Sequence, residues 1–205
     1  MDYARTRRAV WRAALAMHRE GLARLSEGNV SARCPDGCVA ATPSGLPYAD
    51  MAEDDIVIVD AMGRPVAGER RPTSELPMHL GILAARPDVA AVIHTHSPYA
   101  VAFAACGRSI PPVTMEAVTV GGEVPVARLA WPGSPDMATM ALVAMGLTGK
   151  AVLLQSHGVV ALGGDLGEAL NVALYVEQAA RTLALAGAVG TPLVLTEDVL
   201  SRVRP

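Results

Sequence analysis

Apolar positions recur along this chain with two different periods. Trp11, Leu15, His18, Leu22 and Leu25 fall at helical spacing and predict an amphipathic first helix. The pattern then shortens into strand-like runs. Segments 29–33 and 39–42 flank Pro35-Asp36-Gly37, strong turn chemistry, and predict a hairpin. Ile-Val-Ile-Val opens a buried strand over 56–60, closed by the polar Asp60-Ala61-Met62-Gly63. Pro72-Thr73-Ser74 starts a helix to about Arg86, with Pro87 as its stop signal. A strand over 89–94, a short apolar helix over 98–106 and a strand over 124–128 follow. Ser134-Pro135-Asp136 begins a helix ending near Gly146. Runs 151–154 and 159–162 read as two strands, or one kinked strand, around His157-Gly158. A long helix then runs from about Asp165 to Ala188. Hairpins and crossovers both occur, which implies a mixed sheet with helices on both faces. No repeat or low-complexity linker interrupts the pattern, so residues 1–205 are expected to form one domain.

Composition narrows the picture. Half of the chain is apolar (51%) but only 3% is aromatic, so the core must be built from Val, Leu, Ile, Ala and Met. Seventeen basic against twenty acidic residues leave a formal charge of -3, and no basic stretch is interleaved with aromatics. Nucleic acid is therefore not an expected partner. No apolar run is long enough to span a bilayer; Glu177, Gln178 and Arg181 break the longest one. The Arg-rich start faintly resembles a transit peptide, but its helical stripe reads better as an ordinary first helix. An odd number of cysteines without a signal peptide favours reduced thiols and a cytoplasmic setting. Cys34 and Cys38 bracket the predicted turn, and no second pair exists to complete a zinc knuckle.

The candidate chemistry lies in the histidines. Of five, His94, His96 and His157 directly follow short apolar strands. One residue separates His94 from His96, so on a strand both side chains share a face. Three imidazoles leave a coordination position open, the habit of catalytic rather than structural zinc. Imidazole also accepts manganese or cobalt, so ligand type alone does not fix the metal. Glu75, at a predicted helix start, is stabilised as an ionised carboxylate by the helix dipole and is a candidate base. His79 lies one turn on; it reads as a packing histidine rather than a fourth ligand, and His18 as structural. Glu27-Gly28-Asn29, Thr42-Pro43-Ser44-Gly45 and Pro72-Thr73-Ser74 are polar loops able to supply backbone N–H groups and hydroxyls to a phosphate if the fold gathers them. Lys150 is the only lysine.

Gly28-Asn29-Val30-Ser31, Thr42-Pro43-Ser44-Gly45, Pro72-Thr73-Ser74-Glu75, His94-Thr95-His96 and His157-Gly158 together resemble the class II aldolase/adducin family, within it the zinc-dependent L-fuculose-1-phosphate aldolases. The similarity runs over about residues 5–195. It implies an α/β/α sandwich around a mixed, largely antiparallel sheet, assembled as a cyclic homotetramer with sites between subunits. His94, His96 and His157 would hold zinc, with Glu75 on or near it. Gly28, Asn29, Ser44, Gly45, Thr73 and Ser74 would cradle the phosphate of a ketose 1-phosphate. Zinc would stabilise the enediolate left when the carbon–carbon bond breaks, with Glu75 moving the proton. Two departures bear on the substrate. After Ser109-Ile110-Pro111 the family's tyrosine is replaced by Met115, with Glu116 next, and the tail that brings a second tyrosine is expected to be lacking beyond Pro205. A less polar or smaller aldehyde half, as in a 5-deoxyketose 1-phosphate, is the expectation. The sugar-phosphate 4-epimerases of the family carry aspartate where Glu75 stands; its methylthioribulose-phosphate dehydratases share the glutamate. A non-catalytic adducin-like scaffold would have no need of the histidines.

Overall fold

The computed structural model describes residues 3–203; Pro205, and with it the expectation about the tail, lies outside them. Helix α1 (Ala4–Arg19) stops earlier than its apolar stripe suggests. Gly21 adopts a left-handed φ of 75°, and the N–H groups of Gly21 and Leu22 donate to the carbonyls of His18 and Met17. This pair of bonds closes a helix C-terminus around a glycine. Leu22 therefore packs into the core from a loop, and Leu25 is exposed.

Strands β1 (Asn29–Arg33) and β2 (Val39–Ala41) form the expected hairpin. Gly37 turns it at φ 86°, and the Cys34 N–H donates to the Cys38 carbonyl across it. Next come β3 (Val57–Val59), β4 (Pro65–Ala67), α2 (Leu76–Ala85), β5 (Ala91–Thr95) and α3 (Pro98–Ala105). The chain continues through β6 (Val126–Ala127), α4 (Asp136–Met145), β7 (Ala151–Leu154), β8 (Gly158–Gly163), α5 (Leu166–Val189) and α6 (Glu197–Val203). Three 3-10 turns, at Tyr48–Asp50, Glu53–Asp55 and Met115–Val120, fill the longer connections.

Among the described residues eight strands form one sheet in the order β4-β3-β2-β1-β5-β8-β7-β6. Every pairing is antiparallel except β6 with β7. The sheet is thus mixed and largely antiparallel, with helices on both faces. Alternation along the strands sorts the core into two layers. Val30, Ile58, Ile93, Leu153 and Ala161 face one layer with Met17 of α1, Ala100 of α3 and Val172 and Val176 of α5. Val57, Val92, Val152, Val160 and Leu162 face the other with Met78 and Ile82 of α2 and Met137 and Ala141 of α4. Among the described residues no helix is long and apolar enough to cross a membrane.

Buried polar groups interrupt the second layer where β1, β5 and the start of α2 meet. Asn29, Ser31, Glu75, His79 and His94 are all buried there. The register that pairs Asn29 with His94 brings them side by side. Five buried polar side chains at one point would each cost a few kcal/mol without partners, so the fold must satisfy them or use them.

A candidate metal centre and substrate cleft

Three secondary-structure ends converge on one point. His94 lies in β5 and His96 just beyond it, while His157 occupies the turn joining β7 to β8. Their ligand atoms all lie within 4.8 Å of one another, and their ring centroids are 4.8–5.1 Å apart. The β7–β8 turn is not made by Gly158, as the sequence suggests, but by Ser156, at φ 57°. Gly158 is needed for a different reason: a Cβ there would come within 2.7 Å of His94 Cε1 and closer still to the Thr95 carbonyl.

The ring nitrogens are set up as acceptors. His94 Nδ1–H donates to the Val159 carbonyl at 2.9 Å, which leaves Nε2 with its lone pair facing the centre. His96 Nε2 lies 3.0 Å from His94 Nε2. Two imidazole nitrogens so close need a cation or a shared proton between them. Burial pushes the pKa of His94, His96 and His157 down, so the protonated forms are disfavoured at neutral pH.

Glu75 caps α2 beside the histidines. Its Oε2 lies 3.2 Å from His94 Nε2 and accepts from Asn29 Nδ2 at 2.8 Å. Its Oε1 is buried, 3.3 Å from His157 Nε2, and has no hydrogen-bond partner. Burial alone would raise the Glu75 pKa. Positive charge on the His94 ring, the donating Asn29 amide and, less so, charge on the His157 and His79 rings offset it when those rings are protonated, so the carboxyl is held below the usual carboxylate range. Three neutral imidazoles and a carboxylate oxygen lacking a partner are a donor set that fits a divalent cation such as zinc.

The polar loops meet at the same place. Thr73 N–H donates to the Thr42 carbonyl, Ser44 N–H to the Arg71 carbonyl, and Pro43 and Pro72 form an isolated bridge. Tyr48 Oη donates to the carbonyls of Glu27 and Gly28, clamping the third loop. The result is an open cleft of about 220 Å³ lined by Gly28, Asn29, Ser44, Gly45, Thr73 and Ser74 together with Glu75, His96 and His157. His94 completes the cluster from the buried side. Glu27 of the expected first loop also lines the cleft, as do Ser26 and Pro132, which were not singled out from sequence, whereas Met115 is half-exposed and does not. Lys150 pairs with Glu168 at 2.7 Å instead of facing the cleft. His18 stacks on Tyr48, as a structural histidine would.

His79 is a packing histidine and not a fourth ligand, as its sequence position suggests, but it is also hydrogen-bonded at both ring nitrogens. It is fully buried and outside the metal cluster. Its Nε2 lies 2.5 Å from Asn29 Oδ1 and its Nδ1 2.6 Å from Ser31 Oγ. Burial, then the neighbouring His94, pushes its pKa down to about 3 despite the opposing pull of Glu75, so the ring is neutral. The alternation of Asn29 and Ser31 on one face of β1 was the available signal, but only the strand register shows what that face meets.

Comparison with known proteins agrees with this geometry. Residues 8–184 match the family described as Class II Aldolase and Adducin N-terminal domain. A 5-methylthioribulose-1-phosphate/5-deoxyribulose-1-phosphate aldolase of Rhodospirillum rubrum is 39% identical over 184 residues, 89% of this chain and 82% of that one. A 5-deoxy-D-ribulose 1-phosphate aldolase of Bacillus thuringiensis is 35% identical, covering 89% and 86%. A solved structure of an L-fuculose 1-phosphate aldolase superposes with a TM-score of 0.92 at 32% identity, covering 97% of this chain and 93% of its own. On these matches, and with the three histidines and Glu75 in place, the chain belongs to the class II aldolase and adducin family.

Proposed function

We propose that this chain is a zinc-dependent aldolase that cleaves a ketose 1-phosphate reversibly to dihydroxyacetone phosphate and an aldehyde. The observation that carries this is one cleft collecting a three-histidine cluster, a carboxylate with an unpartnered oxygen and three polar loops. His94, His96 and His157, with Glu75 adjacent, would hold the cation; bound there, it supplies Lewis acidity toward the substrate's oxygens. Gly28, Asn29, Ser44, Gly45, Thr73 and Ser74 hold the phosphate through N–H groups and hydroxyls, with the positive end of α2 nearby. They fix C3 of the ketose against Glu75. In cleavage the C3–C4 bond breaks, the C4 hydroxyl gives up its proton as the aldehyde forms, and Glu75 delivers a proton to C3. In condensation Glu75 removes that proton from the hydroxymethyl carbon of dihydroxyacetone phosphate. Relatives named for 5-deoxyribulose 1-phosphate and 5-methylthioribulose 1-phosphate support a sugar with an unpolar far end. A cytoplasmic homotetramer belongs to the same reading, and analytical ultracentrifugation tests the assembly.

The decisive assay incubates zinc-loaded protein with fuculose 1-phosphate and 5-deoxyribulose 1-phosphate, with and without chelator, and measures dihydroxyacetone phosphate. Chelator-sensitive release is expected. Glu75→Gln should keep its metal and lose about 10²–10⁴-fold in turnover, the scale of general acid–base catalysis. His96→Ala should lose both metal and activity. Substrate epimerised or dehydrated rather than cleaved would replace the aldolase reading with the epimerase or dehydratase of the same family. A protein that holds no metal would favour the scaffold.

A further inference from the structure

The hydrogen bonds behind Glu75 run in one direction only. An ionised carboxylate accepts and cannot donate, so the Asn29 group 2.8 Å from Glu75 Oε2 must be its NH₂. The amide oxygen therefore faces His79 Nε2 at 2.5 Å, and because an amide oxygen only accepts, Nε2 must carry the ring proton. A neutral ring with Nε2–H has a bare Nδ1, which accepts from the Ser31 hydroxyl at 2.6 Å. The chain reads Ser31 O–H to His79 to Asn29 to Glu75. Each member is buried, and each bond is made between parts of the fold, β1 and α2, that the core already fixes.

We infer that Ser31 and His79 are positioning residues that act through Asn29 to tie down one oxygen of Glu75, Oε2, and so hold the carboxyl in a single orientation at the cleft. This rests on the reading of Glu75 as the acid/base. The chain matters because an unrestrained asparagine can rotate its amide by half a turn. Flipped, Asn29 would set its oxygen against the carboxylate, pushing Glu75 out of its orientation. His79 forbids the flip, since its Nε2–H would then face an NH₂ group. Oε1, the Glu75 oxygen left without a hydrogen bond among the described residues, faces the histidine cluster 3.3 Å from His157 Nε2, and the residue lines the cleft.

The test reads the ring and the proton transfer separately. Nitrogen NMR of the zinc-loaded protein should show His79 protonated at Nε2 and bare at Nδ1; the opposite tautomer would overturn the inference. Deuterium exchange at the hydroxymethyl carbon of dihydroxyacetone phosphate then reports Glu75 without any aldehyde. His79→Phe should slow this exchange and kcat by about 10–100-fold, the usual cost of losing a group that orients an active-site residue. Zinc content and KM should stay near those of the parent, because His79 belongs neither to the histidine cluster nor to the cleft lining. His79→Gln, whose amide can still donate to Asn29, should recover much of the loss, which a purely structural role would not predict. Ser31→Ala, a smaller change, should slow exchange by about threefold to tenfold, the equivalent of one ordinary hydrogen bond. A folded, zinc-loaded His79→Phe with parental exchange would sink the inference. Parental exchange in Glu75→Gln would instead remove the base assignment, while the tautomer result would still judge the hydrogen-bond chain.

Discussion

A methyl group added at Gly158 would stand 2.7 Å from His94 Cε1 and 3.2 Å from His96 Cδ2. Neither imidazole can yield without moving its nitrogens, because His94 is anchored through Nδ1 to Val159 and sits at zero exposure. Gly158→Ala is therefore expected to weaken zinc binding by at least tenfold, the lower end of what disturbed ligand orientation costs; a zinc titration with a competing chelator measures it. The same scale yields a pH prediction. His79 titrates near 6.5 when unfolded and near 3 in the fold, because burial penalises its charged form. Between those values the unfolded chain binds a proton that the native protein refuses, so stability is complete above about pH 6.5 and drains away as pH falls. His94, His96 and His157 are shifted in the same direction. Going from about pH 7.5 to about pH 5, His79 alone should cost about 2 kcal/mol in chelated protein. Urea melts at both values should show a flatter pH dependence for His79→Phe. Equal slopes would mean that the histidine is not held neutral.

At the scale of elements, α2 and α4 approach each other closely where Gly81 faces Ala138. A Cβ on Gly81 would come within 2.6 Å of Ala138 Cβ, and neither atom belongs to a flexible side chain. Gly81→Ala gains about 1 kcal/mol of helix propensity and loses about 1–3 kcal/mol to overpacking. The net expected loss is about 1 kcal/mol, on those same two ranges. Ala138→Gly in the same chain should relieve it, and a double-mutant cycle in denaturant gives the coupling. Most elements were legible from the sequence because their boundaries are local: Pro72 and Pro87 bracket α2, Pro98 starts α3, and Asp36-Gly37 turns the first hairpin. What escaped was either too short to show a period, such as β4 and the 3-10 turns, or set by a single backbone conformation. Gly21 ended α1 inside an apolar stripe that looked continuous. The histidines and loops of the site were legible as residue types in order. The Ser31–His79–Asn29 chain was not, because it depends on packing β1 against α2 across 48 and 50 residues of sequence.

For the whole molecule the question is whether the metal holds the fold together or only uses it. The histidines lie on β5 and at the β7–β8 turn, and Glu75 at the head of α2. None of these parts depends on a cation to find its neighbour. β5 and β8 pair in register from Ala91 with Gly163 to Thr95 with Val159, and β5 also pairs with β1. Both sheet faces are covered by apolar layers, the second interrupted only where the buried polar groups of the site gather. A domain with such a core differs from the small zinc domains in which metal binding is the folding energy. Chelation is therefore expected to leave far-UV circular dichroism and cooperative melting intact while lowering Tm. The stabilisation regained on adding zinc should grow by about 1.4 kcal/mol per tenfold rise in free metal once the site is saturated. His96→Ala should melt close to the chelated parent and respond little to added zinc, which separates the site from metal bound elsewhere. If chelation instead abolished the helical signal at room temperature, the cluster would be structural, and Glu75 would be better read as its fourth ligand than as a base.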